Sequence, residues 1–165
     1  MKPPTQTRPA DHWAADEIVA PELVALKAWY DGARGARPML AFAALPYLAT
    51  LPGAADLALV ALAEEDGSYL YLQTGEGYRR TAAVGGGGLQ PRPDGRIAET
   101  RPVMCQHLDL AAAQRAPFHV SVTRWDGLKI LQYDRLILPL DDGQQKGMVT
   151  HLLVGECFLR LAKDA

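Results

Sequence analysis

A nearly continuous apolar segment, LKILQYDRLILPL at residues 128–140, narrows the folds that are open to this chain. In Leu136-Ile137-Leu138 three apolar residues follow one another, so a strand there needs cover on both of its faces. Helices from the middle of the chain can pack on one face, and an N-terminal helix or a second subunit can cover the other. Because Pro139 has no backbone N–H, we expect the strand's ladder to be broken or to lie at an edge there.

This segment forms the middle of a predicted antiparallel meander. Its three strands are predicted at 118–125, 128–140 and 148–159. Turn residues separate them, with Asp126-Gly127 after the first strand and glycines at 143 and 147 after the second.

A β-hairpin is predicted earlier, with arms at 57–62 and 68–73 joined by Asp66-Gly67. Placing its first arm beside the last strand of the meander gives an α+β fold. We expect a five-stranded antiparallel sheet in the order 2-1-5-4-3, with helices on one face and an N-terminal helix.

The segments that predict helices are shorter than those that predict the sheet. Residues 16–34 predict the N-terminal helix, with Pro21 in its first turn and Gly32 and Gly35 as stop signals. A second helix is predicted over 110–114, capped by Asp109. Residues 75–104 read as irregular, and the four glycines at 85–88 read as a mobile loop, because no Lys-Ser/Thr follows them as in a phosphate-binding loop.

Composition and charge narrow the classes of partner that we expect for this chain. The chain has 165 residues and a formal net charge of −2, with no basic block, so nucleic acid is not an expected partner. No apolar stretch approaches the roughly 20 residues that cross a bilayer. Cys105 and Cys157 have no metal-ligand spacing and read as reduced thiols of a cytoplasmic protein. We divide the chain into a flexible arm at 1–15 and a single domain at 16–165.

Several segments together resemble one known family. They are Trp29 and Tyr30, ARGARP at 33–38, YLYLQTG at 69–75, QRAP at 114–117, and YDRLILPLDDG at 133–143. In these segments the chain resembles a bacterial branch of PAS-like sensory domains, over residues 22–158. It departs from that branch after the hairpin, where the glycine run and a proline-rich stretch replace a compact turn.

The resemblance implies a stand-alone PAS-like domain protein with a sensory or signalling role. Such a module is non-catalytic and binds a small molecule or a signalling protein. It implies self-association as a homodimer through the N-terminal helix and the outer sheet face. PAS-like domains usually shape a ligand pocket in the middle region; the candidate ligand-binding residues are Tyr71, Tyr78, His107, Trp125 and Tyr133.

Two other functions compete with this interpretation. A haem- or flavin-binding protein would use His107, near Cys105, or the aromatic residues, although the cofactor itself stays unknown. These two residues alone do not form a zinc site, which needs three or four ligands. A small cone-shaped, isomerase-like enzyme would need a histidine beside a carboxylate as general base. His119 and His151 lie in predicted strands, His119 on the solvent-facing side, and no nucleophile elbow is present.

Arg135 reads as a structural anchor. It alternates with Asp134 on opposite faces of one strand, so these two side chains cannot pair. Its expected partner is a carboxylate near the sheet, either Glu156 on the neighbouring strand or Asp56.

Overall fold

The computed structural model describes residue 18 and residues 20–83, 89–126, 129–144 and 147–162; for 122–126, 129–131 and 159–162 it describes the backbone alone. Within these ranges the helices are α1 Pro21–Arg34, α2 Glu76–Ala83 and α3 Pro102–Gln114. The strands are β1 Leu40–Ala41, β2 Leu57–Leu62, β3 Tyr69–Thr74, β4 Phe118–Asp126, β5 Lys129–Asp141 and β6 Val149–Ala162. Three short 3-10 turns at 42–44, 48–50 and 54–56 connect β1 to β2.

The hairpin and the meander form as predicted. Strands β2 and β3 pair antiparallel, and Gly67 takes a positive φ of 72° in the turn between them. Strand β5 pairs antiparallel with both β4 and β6. The contact between the two sheet pieces is confirmed, because β2 runs antiparallel beside β6 from Leu57↔Gly155 to Ala61↔His151.

The predicted sheet of five antiparallel strands needs a correction. A sixth strand, β1, pairs in parallel with the end of β5, and the sheet order is β1-β5-β6-β2-β3 with β4 also paired to β5. Two residues are too few for a period-2 pattern, and the prolines around them favoured turns. The predicted break at Pro139 is present on one side of β5, since β4 pairs up to Ile137 and β1 begins at Leu140. On the other side the ladder continues, and Pro139 pairs with Leu152 of β6.

Two helix predictions are also corrected. Helix α2 lies inside the stretch that was predicted to be irregular, and α3 begins at Pro102, well before Asp109. Proline at the first helical position fits the start of α3, because its missing N–H would be unpaired there anyway. The glycine run lies outside the described residues.

Helices cover both faces of the sheet. The N-terminal helix places Leu23, Leu26 and Tyr30 against leucines of β2, β5 and β6. On the opposite face α2 and α3 pack Tyr78, Met104 and Leu108 against the alternate residues of the same strands. Each face thus holds its own core, as three consecutive apolar residues in β5 require.

None of the helices within the described ranges has both the length and the apolar character that crossing a membrane demands.

Candidate functional site

Most of the predicted site residues meet beneath α2 and α3. Tyr71 on β3, Tyr78 on α2, His107 on α3, and Tyr133 and Arg135 on β5 are all buried on this face of the sheet. They belong to a set that we call the charged network, which consists of Tyr71, Tyr78, Glu99, Arg101, His107, Tyr133, Arg135 and Glu156. Trp125 falls within β4, but its side chain lies outside the described part of the chain.

At one end of the network, Arg135 bridges two strands and a helix. Its Nε donates to Glu156 Oε1 on β6 at 2.8 Å, and its Nη1 donates to His107 Nδ1 at 2.7 Å. Its Nη2 donates to the Tyr133 hydroxyl at 3.2 Å, and the guanidinium stands 5.4 Å from that ring's centroid. Burial disfavours the charge of Arg135, but the Glu156 carboxylate together with Tyr133 and Tyr78 outweighs it, and the pKa lies above its usual range.

At the other end, hydroxyls and an ion pair form a chain of hydrogen bonds. The Tyr71 hydroxyl donates to Glu99, so the Tyr78 hydroxyl, 2.7 Å away, donates to Tyr71. Arg101 holds the Glu99 carboxylate through Nε at 2.8 Å, Nη2 at 2.9 Å and its backbone N–H at 2.8 Å. Burial opposes ionisation of Glu99, yet these bonds bring its pKa below the usual value.

The two ends influence each other through Glu156. Burial raises the pKa of Tyr78, and the negative charge of Glu156 raises it further. Glu156 also helps to raise the pKa of Arg101, against the effect of burial and together with Glu99. Its Oε2 is buried without a hydrogen-bond partner among the described residues. The network is therefore one electrostatic unit in which carboxylates and guanidiniums compensate each other.

His107 is held as a neutral hydrogen-bond acceptor. Burial, aided by the positive charge of Arg135, lowers its pKa to about 4. Arginine is always a donor, so His107 Nδ1 accepts and Nε2 carries the hydrogen. In this tautomer neither ring nitrogen offers a lone pair to haem iron, and no group of three metal-ligating side chains occurs in the described ranges.

The opposite face corrects the prediction for His119. This residue was expected to face solvent because polar residues flank it on β4, but its side chain is buried. Its Nε2 lies 3.3 Å from Asp134 Oδ1, and the other oxygen of Asp134 accepts from the backbone N–H of Ala20 at 3.1 Å. The segment that leads into α1 covers this part of the sheet, which the strand pattern alone does not indicate.

His151 lies half-buried near the paired end of β5. Its Nδ1 is 2.8 Å from the hydroxyl of Thr150, and its ring stacks on Phe42 with centroids 3.6 Å apart. Burial lowers the pKa of His151.

Sequence reasoning missed Glu99 and Arg101. Both lie in the stretch that was assigned to irregular structure, and Glu99 is tied to the edge strand by its backbone N–H, which donates to Tyr69 O at 2.9 Å. One signal was available, because Pro102 marks the first turn of a helix and places Arg101 at its N-cap. Glu156 was identified beforehand as a possible partner of Arg135.

A groove of about 680 Å³ opens beside the network. It follows the second half of β3, where Leu72 is half-exposed, and the 3-10 turns before β2 form its other wall. Tyr71 belongs to both places, since it lines the groove and its hydroxyl joins the charged network. The other lining residues are Leu48, Ala49, Ala54, Ala55, Leu72, Gln73, Thr74, Gly75, Glu76, Arg79 and Ile97.

Comparison with known proteins gives a structural likeness and no sequence match. No protein-family model matches the chain, and no curated protein sequence matches it. Among solved structures, the light-state structure of the blue-light photoreceptor Aureochrome1 LOV is similar with a TM-score of 0.41 and 11% identity, over 64% of this chain and 82% of that chain. A likeness at this level assigns neither a family nor a ligand to this chain.

Proposed function

We propose that this chain is a non-catalytic sensory or signalling module of PAS-like architecture, which binds a small molecule or a protein partner. The observation that carries the proposal is the bonding of the charged network. The buried arginines, carboxylates and histidine beneath α2 and α3 are engaged with one another, as expected of a binding scaffold with a fixed geometry.

The order of elements supports the architecture. A helix, a hairpin, two further helices and a meander follow one another, and the first strand of the hairpin lies beside the last strand of the meander. This is the arrangement that the sequence resemblance to PAS-like domains implies, with β1 as an addition.

The state of His107 and His119 argues against either of them as the general base of an enzyme. A general base must reach a substrate proton with a free lone pair. His107 gives its lone pair to Arg135, and His119 is buried beside Asp134 under the start of α1. We therefore prefer binding to proton transfer as the role of this fold.

The groove beside Tyr71 is the binding site that we propose. Its volume falls within the range of small-molecule sites, and its lining mixes aliphatic side chains with Glu76 and Arg79. Tyr71 would contact the ligand, while Tyr78, His107 and Tyr133 would support it from the network. Trp125 stays a sequence-based candidate.

We also propose self-association through α1, where Val24 is exposed, and the outer sheet face.

Native mass spectrometry of freshly purified protein tests these proposals, because it reports bound small molecules and subunit number together. The variant Leu72→Glu places a charge in the groove, and Leu110→Glu does the same at a comparably exposed site on α3 as the control. We expect a co-purified mass in the wild type that Leu72→Glu loses and Leu110→Glu keeps. A visible absorbance band would instead indicate haem or flavin, and turnover of a substrate would contradict the non-catalytic role.

A further inference from the structure

The edge strand β3 is paired along only part of its outer side, the side away from β2. A bridge between Leu70 and Ala98 joins its first half to the segment before α3. Next to this bridge, Tyr71 N–H donates to Ile97 O at 2.8 Å. Within the described ranges, no strand or bridge pairs with the outer side of residues 72–74. A strand edge of this kind presents backbone groups that can pair with another chain.

The segment that pairs with the first half of β3 turns away before it reaches Leu72. Arg92 N–H donates to Arg96 O at 2.7 Å, and Gly95 takes a positive φ of 84° in this turn. Ile97 lines the groove together with the second half of β3. The groove therefore continues along the edge from the point where the chain's own segment leaves it.

The wall opposite this edge is built mainly of short side chains. Ala49, Ala54 and Ala55 line the groove there together with Leu48. Alanines leave room for a polypeptide backbone to approach the edge. Leu48 and the half-exposed Leu72 offer apolar contacts to an incoming side chain.

The free part of the edge lacks two common features that keep natural edge strands from pairing. Leu72-Gln73-Thr74 contains neither a charged side chain nor a proline. A β-bulge is present, because Leu72 is skipped where β3 pairs with β2. The bulge twists the strand locally and limits an added strand to a short one. Three residues of a strand span about 10 Å.

Charges of both signs lie where the groove meets the start of α2. Glu76 and Arg79 are exposed there and line the groove. Among the described residues, neither of them forms a salt bridge, so both are open to charged side chains of a partner.

We infer that an extended peptide segment of a partner protein binds in this groove by adding a short strand to β3 at residues 72–74. The inference rests on the proposed binding role of the groove and names its partner class. A small molecule leaves the backbone edge unpaired, whereas an extended chain supplies donors and acceptors at strand spacing. Backbone hydrogen bonds would provide affinity, and alternate side chains in contact with Leu48 and Leu72 would provide selectivity.

Selection from a displayed library of random heptapeptides provides the probe. The best binder is synthesised and titrated into the ¹⁵N-labelled whole chain, and binding is followed by NMR. We expect saturable shifts of the backbone amides of residues 72–74, because new hydrogen bonds along the edge change their environment.

A scan of the peptide with N-methylated residues tests the strand pairing itself and needs no variant of the protein. Methylation at every second position of the bound segment should weaken binding about tenfold, the usual scale for losing a buried hydrogen bond. Methylation at the positions between should weaken it less than about threefold, because their N–H groups point away from β3.

Leu72→Glu tests the place of binding, with Leu110→Glu on α3 as the matched control at a comparably exposed site. The first variant should weaken peptide binding about tenfold or more, because it puts a charge into an apolar contact. The second should change the affinity less than about twofold, as expected for a screened surface charge.

The inference is overturned if no selected peptide shifts the amides of residues 72–74, or if N-methylation shows no alternation along the peptide. In that case, a small molecule that co-purifies with the wild type and is lost from Leu72→Glu leaves the proposed binding role intact. Self-association that Leu72→Glu abolishes, without peptide binding, assigns the edge to a second copy and also overturns the inference.

Discussion

The two faces of the sheet are built from the same strands but stabilised in different ways. The face under α1 is mainly aliphatic, and a few hydrogen bonds fix the helix to it, such as the Tyr30 hydroxyl donating to Pro139 O at 2.6 Å. The face under α2 and α3 buries the charged network within its apolar core. Because side chains along a strand point alternately to the two faces, neighbouring residues lie in different cores.

This difference between the faces concerns two separate properties, the stability of the fold and the specificity of its side-chain arrangement. Apolar burial stabilises the α1 face without prescribing one arrangement of side chains. Buried ion pairs contribute little net stability, because desolvation offsets their attraction, but they penalise any arrangement that leaves a charge unpaired. We therefore expect the apolar cores of both faces to hold the sheet together, and the charged network to fix the geometry beside the proposed binding groove.

Removing one member of the buried pair should have the largest effect. In Arg135→Met, Glu156 stays buried without its cation, and we expect a loss of about 3–5 kcal/mol in the free energy of unfolding. Urea denaturation measures this loss. The double variant Arg135→Met/Glu156→Met replaces the pair by apolar side chains and should recover most of it. A single variant as stable as the wild type would contradict the contrast between the two faces.

A cavity on the α1 face should cost nearly as much. Leu26 is fully buried, so Leu26→Ala should lower the free energy of unfolding by about 2–5 kcal/mol. Val24→Ala, at an exposed position of the same helix, serves as the control and should have little effect. Equal effects of the two substitutions in urea denaturation would show that α1 does not cover the sheet.

On the charged face, His107 should make stability depend on pH near 5. His107 has a pKa of about 4 in the folded protein and 6.5 as its ordinary value. Between these values the unfolded chain binds a proton that the folded one does not, so stability falls as pH falls from about 6.5 to 4. The loss is at most about 3 kcal/mol. In His107→Asn, whose side-chain oxygen can still accept from Arg135, this part of the pH dependence should vanish from the unfolding curves.

Substitutions of two glycines should have the smallest effects on stability, and these effects should be opposite in sign. A Cβ on Gly155 would stand 2.6 Å from a methyl group of Leu23, so Gly155→Ala should destabilise the protein by about 1–3 kcal/mol through overpacking. A Cβ on Gly32 in α1 meets nothing within 4 Å, and Gly32→Ala should stabilise the helix by about 0.5–1 kcal/mol. Thermal unfolding distinguishes the signs, and shifts in the same direction would contradict close packing of α1 on β6.

The strands and their main pairings could be predicted because their signals are local. Alternating or continuous apolar runs between Asp-Gly turns mark β2 to β6, and cover on both faces follows from residues 136–138. The helix α2 could not be predicted in this way. Eight residues do not hold a helix by propensity alone, and α2 depends on burying Tyr78 against the sheet.

What the sequence determined by itself is therefore the strands β2 to β6, the N-terminal helix and the need for two covered faces. Only the tertiary structure decided that β1 joins β5 in parallel, that His119 is buried, and that Arg135 engages His107 at a separation of 28 residues. Local patterns specify which way a side chain points from its own strand or helix. Which distant group it meets depends on how the elements pack, and that is a property of the whole chain.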